Sequence, residues 1–159
     1  MPDLFQRFLR RIAYTAPGGF TVRPFLHRLR GARIGKNVWI SQYVYIDEAH
    51  PEAITIEENT TIGINASIIA HLYWGPKRNS ERAGKVHIEH DVFVGPHCVV
   101  LPNVRIGAGA VILAGTVVSR NVPSGVMWGA PKAQALGRVT VPLIPNSSCE
   151  KFLKGLRPH

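Results

Sequence analysis

The segment ITIEENTTIGINASIIAH, residues 54–71, decides the fold. Ile56, Ile62 and Ile68 fall six apart, and the count stops at His71, ahead of the bulky polar run LYWGPKRNSERAG. Working outward, the same register holds on both sides. Ile34, Ile40 and Ile46 precede it across a four-residue insertion around AHPE; Ile88, Val94, Val100, Ile106, Ile112 and Val118 resume it after the loop. Four residues after each of these last six stand Val92, Cys98, Val104, Ala110, Thr116 and Val122, all small or β-branched. A period of six is neither an amphipathic helix nor simple strand alternation. It is the mark of stacked coils, in which each hexad gives a short strand and a turn. Three hexads close one triangular coil with the aliphatic residue inside. The chain is therefore expected to be all-β, a parallel β-helix of about four coils at 34–51, 56–73, 88–105 and 106–123. Gly35, Gly63, Gly95 and Gly107, each just after an inward aliphatic, are read as supplying turn conformations closed to other residues.

The ends differ from the middle. Leu4, Phe5, Phe8, Leu9 and Ile12 form one helical stripe with Arg7, Arg10 and Arg11 off it. Pro24 suits a helix start and Gly31 a stop. Helices are expected over 3–14 and 23–30, capping the first coil, and a short one near 148–155. Three regions follow: a basic helical cap (1–33), the β-helix with a loop at 71–87 (34–123), and a C-terminal turn and tail (124–159). No apolar run approaches the ~18 residues of a membrane span, and no secretory leader is expected at the N-terminus. Cys98 reads as a buried thiol inside the repeat, and two cysteines in all fit a reducing cytoplasm. Net charge is +9; residues 1–36 carry eight cations against Asp3 alone. That head suits an anionic partner (phosphates, acidic glycan or an anionic membrane surface, contacted peripherally) or is simply a solvated helix face. No nucleic-acid motif accompanies it.

The hexads, the IGINASIIAH segment and VPSGVMWGAPKAQAL after the last coil together resemble the hexapeptide-repeat acyltransferases. The likeness covers residues 31–138 and is nearest to the maltose and galactoside O-acetyltransferase branch and to polysaccharide-modifying acetyltransferases. It implies a left-handed coil, against the usual crossover rule, and a homotrimer. It also implies acyl transfer, of acetyl above all, from coenzyme A to a hydroxyl of a sugar or surface-polysaccharide precursor. An amino-sugar N-acetyltransferase and a non-catalytic scaffold are the alternatives. A γ-type zinc carbonic anhydrase shares the fold but pairs two histidines five apart after Gly-His; here His90 and His97 are seven apart and Gly-His is absent.

In the resembling enzymes a histidine ends a hexad just before an excursion of the chain, and His71 matches that place. Imidazole titrates near neutrality and can take the hydroxyl proton as attack begins, so His71 is the expected base, its ring facing solvent. His87, where the chain re-enters the helix, is its rival or a substrate contact, and His97 reads as a turn residue. The acidic residue that often follows this histidine is replaced by Leu72, Tyr73 and Trp74, which leaves the group that orients the ring unidentified. Tyr73 and Trp74 stack on a sugar ring or pack the loop on the helix. Asp47 and Glu48 match acidic residues that bind acceptor hydroxyls, or form a solvated turn; His50 is a further substrate-side candidate. For the cofactor, Pro96, Ala114, Ser119 and Arg120 fall where relatives contact coenzyme A. Lys132, one place early in the GAPK turn, or Arg138, would meet its phosphates.

Overall fold

The computed structural model of the chain describes residues 4–71, 84–130, 135, 137–141 and 148–158. Two helices, α1 (Leu4–Thr15) and α2 (Val22–Leu29), lead into thirteen short parallel strands. These build three sheets. The first holds β1 (Arg33–Ile34), β4 (Ile54–Ile56), β7 (Val86–Ile88) and β10 (Arg105–Ile106). The second stacks β2 (Trp39–Ile40), β5 (Thr61–Ile62), β8 (Phe93–Val94), β11 (Val111–Ile112) and β13 (Met127–Trp128). The third stacks β3 (Tyr45–Ile46), β6 (Ser67–Ile68), β9 (Val99–Val100) and β12 (Val117–Val118). The chain visits the sheets in rotation, so each circuit is one coil. A C-terminal antiparallel pair, β14 (Gly137–Val139) and β15 (Leu156–Pro158), flanks α3 (Cys149–Gly155).

In each strand of the coils the hexad aliphatic points inward. Ile40, Ile46, Ile56, Ile62, Ile68, Ile88, Val94, Val100, Ile106, Ile112 and Val118 are fully buried in a single column, and the small residues from Val92 to Val122 complete it. Cys98 lies inside as expected, its Sγ 3.0 Å from the Leu113 carbonyl, and burial pushes its thiol pKa up.

The coil runs further than the sequence suggests. The count in sixes ends at residue 123, yet Val122 bridges Ile106 and β13 pairs with β11, adding a partial turn with Trp128 packed against the core. Two residues are missing from the spacing there, which hides the repeat from a count in sixes. The regular coils hold 18 residues: Arg105 faces His87, and Val117 faces Val99. Every departure falls at one corner, between the third sheet and the first. Arg33 faces Thr55, which allows four extra residues after β3; Thr55 faces His87, which allows fourteen after β6; Ile106 faces Val122, which is two short after β12.

The glycines after the aliphatics serve space rather than turning. A Cβ at Gly63 would lie 2.6 Å from the Pro96 backbone nitrogen, and one at Gly35 would lie 2.5 Å from that of Glu58. Left-handed φ is taken instead by the residue three beyond nine of the twelve aliphatics: Asn37, Tyr43, Asn59, Asn65, Asp91, His97, Asn103, Gly109 and Gly115. Asn and Asp tolerate that region, and His97 is a turn residue as read.

Parallel coils leave one end unsatisfied. Each coil donates N–H groups to carbonyls of the next, as Gly35 does to Ile56, Ser41 to Ile62 and Asp47 to Ile68. The equivalent carbonyls of the first coil, those of Ile34, Ile40 and Ile46, therefore have no preceding coil to serve them. Three arginines do: Arg23 Nε donates to Ile40 at 2.6 Å, Arg28 Nε to Ile34 at 2.8 Å, and Arg30 Nη2 to Ile46 at 3.2 Å and Asp47 at 2.9 Å. One arginine serves each sheet. Three of the eight cations of the basic head thus form a lid for the helix end.

Candidate active site

The site is built at the irregular corner. After β3 the chain turns at Asp47, and one coil later, after β6, it passes Ala70 and His71. Stacking brings these corners together. The Asp47 carboxylate is fully buried and takes five contacts: the Ala49 and His50 N–H groups on Oδ1 at 2.9 and 3.0 Å, the Ala70 and His71 N–H groups on Oδ2 at 2.7 and 3.2 Å, and His71 Nδ1 on Oδ2 at 2.6 Å. Burial pushes its pKa up, but the Ala70 and His50 N–H groups and the His71 ring outweigh it and hold the carboxyl below its usual range. Asp47 is therefore ionised and orients the ring. With Nδ1–H donated to Asp47, a neutral His71 carries its lone pair on Nε2.

Two expectations are corrected here. Asp47 does not reach outward to an acceptor; it lies inside, spent on His71 and four backbone donors. His71 does not face solvent either; only 8% of it is exposed. The orienting group that the sequence leaves unnamed is Asp47. It was findable by stacking hexads: the residue after Ile46 lies one coil above Ile69, beside Ala70 and His71.

The remaining candidates scatter. Glu48 is half-buried and paired with Arg10 of α1 at 2.5 Å. His50 stands beside the site, its ring edge-on to His71 at 6.0 Å between centroids and its Nδ1 3.1 Å from Glu52. His87 lies on β7, on the outer face of the first sheet, where its Nε2 meets Glu57 at 2.7 Å. Pro96 and the exposed Ala114 sit on a different corner, between the second and third sheets. Ser119 and Arg120 are exposed on the His71 corner, two coils on; by register Arg120 stands in line with Ala70, about 10 Å along the axis. The Arg120 guanidinium stacks 5.2 Å over Trp128. Arg138 is exposed on β14, apart from these coils in sequence. Tyr73, Trp74 and Lys132 lie outside the described residues. Among the described residues no cluster of three His, Cys, Asp or Glu could hold a metal.

Residues 85–120 match the model of the bacterial transferase hexapeptide (six repeats). The hexads counted over this stretch are thus those of a described repeat. YvoF of Bacillus subtilis (strain 168), an acetyltransferase by proposal of its name, is 40% identical over 97 residues, 61% of this chain and 55% of the relative. The galactoside O-acetyltransferase of Lactococcus lactis subsp. lactis (strain IL1403) is 31% identical over 114 residues, 61% of this chain and 51% of that one. The chain thus spans about half the length of the curated relatives it matches. A hexapeptide-repeat-containing acetyltransferase of Vibrio cholerae O1 biovar eltor, solved with acetyl coenzyme A, superposes with a TM-score of 0.64 at 21% identity, covering 79% of this chain and 80% of the other. The fold is the left-handed parallel β-helix that the resemblance implies.

Proposed function

We propose that this hexapeptide-repeat protein is a cytoplasmic homotrimer that transfers an acetyl group from acetyl coenzyme A to a hydroxyl of a sugar or surface-polysaccharide precursor. The Asp47–His71 pair carries this reading, because it stands where the repeat is interrupted in two successive coils. The bound thioester supplies the acyl group. His71 Nε2 takes the acceptor's proton as its oxygen bonds to the acyl carbon; the carbon–sulfur bond breaks, and the imidazolium returns the proton to sulfur. Ionised Asp47 fixes the tautomer and steadies the imidazolium. Ser119 and Arg120, exposed on the His71 corner of the last coils, suit a long ligand laid along that edge of the helix; Ala114 lies on the next corner, off that line. The names of the Lactococcus and Vibrio proteins support hydroxyl transfer and the donor, respectively.

The test is two-fold. Acetyl coenzyme A at millimolar concentration should raise the thermal midpoint by mass action, and thiol release should require a glycoside from an acceptor panel. Neither a shift nor turnover would leave the scaffold reading standing. Turnover with amino sugars alone would replace the hydroxyl with a nitrogen.

A further inference from the structure

Helix α2 buries polar groups with its apolar ones: Arg23, His27 and the C-cap Arg30 are buried beside Pro24 and Leu26, while Val22, Phe25 and Leu29, spaced three and four apart on the opposite face, are exposed. Helix α1 repeats the pattern. The stripe read from its sequence splits: Leu9 packs with Ala13, Ala16 and Leu26, while Phe8 and Ile12, one turn apart, face out. Phe8 is 61% exposed, Phe25 59% and Leu29 49%. Both helices turn their polar anchors to the β-helix: Arg10 to Glu48 on α1, and the three capping arginines on α2. By helical spacing, the exposed apolar residues of the pair therefore lie on the side away from the coils. Arg7 and Arg11, both exposed, flank Phe8 and Ile12. Neither helix contains an acidic residue.

Large apolar side chains gathered on one exposed face mark a surface that is covered in use. Its charge selects the cover. A second copy docked face to face would set Arg7 and Arg11 against their own images, with no carboxylate on either helix to answer them. An amphipathic face that joins Phe, Leu and Ile with arginines is suited to lie in the interface of an anionic membrane, its apolar side chains at the acyl boundary and its cations among the phosphates. No helix among the described residues is long and apolar enough to cross a membrane. We propose that the outer face of the α1–α2 pair docks on an anionic lipid bilayer and holds the end of the β-helix against it. The proposal stands on this face alone and does not depend on the chemistry at His71.

The full chain should co-sediment with vesicles of phosphatidylcholine containing 30% phosphatidylglycerol at least about tenfold more strongly than with pure phosphatidylcholine, and weaken from 50 to 500 mM salt. Phe25→Ser with Leu29→Ser should lose at least about tenfold in this binding, as should Arg7→Gln with Arg11→Gln. In both variants the thermal midpoint and the particle size without lipid should be unchanged. No binding to the anionic vesicles overturns the proposal. So does binding that survives the Phe25/Leu29 change, which would mean charge attraction without insertion. A drop in particle size for that variant without lipid overturns it too, because a second copy would then be the cover.

Discussion

His71→Ala should lower kcat by about 10²–10⁴-fold, the usual worth of a general base, and leave the affinity for acetyl coenzyme A within about twofold. Because the ring is buried on Asp47, the same change should also remove about 1–3 kcal/mol of stability, the cost of stripping a partner from a buried carboxylate. Urea unfolding checks this, and a change under about 0.5 kcal/mol would mean the pair is looser than the 2.6 Å contact indicates. Asp47→Asn should be as damaging to kcat as the loss of the histidine, since an amide cannot receive all five donors and carries no charge to steady an imidazolium. His87→Ala, whose ring bonds Glu57 on another face, should keep most activity. His71 is legible in the sequence because it halts a count. Its partner is not, because Asp47 is 24 residues away and becomes a neighbour only when coils stack. Its acidity also makes it look like a surface residue, and only the stacked structure reveals the four backbone N–H groups that let it be buried.

Helix α2 illustrates a limit of hydrophobic patterning at the scale of an element. Its stripe of Val22, Phe25 and Leu29 points to a buried face, yet it is exposed, and Arg23 and His27 are buried beside Leu26 instead, because the first coil offers carbonyls to be capped. Arg30→Met should therefore cost about 1–3 kcal/mol by leaving the Ile46 and Asp47 carbonyls without their donor, while Arg11→Met in the same assay should stay within about 0.5 kcal/mol. His27 sits in this layer, with its Nδ1 accepting from Arg30 at 2.9 Å; burial first, then Arg30 and Arg23, push its pKa down to about 3. It stays neutral in the folded protein while the unfolded chain takes up a proton near pH 6.5. Its contribution to stability is thus complete above about pH 6.5 and falls by up to about 1.4 kcal/mol per pH unit toward pH 3. The Asp47 carboxylate, depressed in the fold, adds a second loss as pH drops through the acid range below its ordinary value. Denaturant titrations at pH 7, 6 and 5 should show the first slope, and His27→Gln should flatten it. Gly63→Ala should cost about 1–3 kcal/mol by driving a Cβ into the Pro96 backbone.

Across the whole molecule, the coils were almost fully legible, because every hexad repeats one demand and a misreading at one position is corrected by the next. What escaped was the partial turn at β13, where two missing residues break the count, and the inverted cap, where ordering depends on the end of a stack and not on a period. Light scattering should give a trimer, and a monomer in dilute solution would overturn the homotrimer of the proposed function. One feature of the architecture bears on how such chains diversify. All changes in coil length fall at the corner that carries Asp47 and His71, and the strands on either side pair again in register whatever length intervenes. The scaffold is therefore separable from its mouth: a segment grafted between His71 and Gly84 should leave the core in register. A protein given the corresponding segment of a relative should keep its melting temperature within a few degrees while taking on a new range of acceptors.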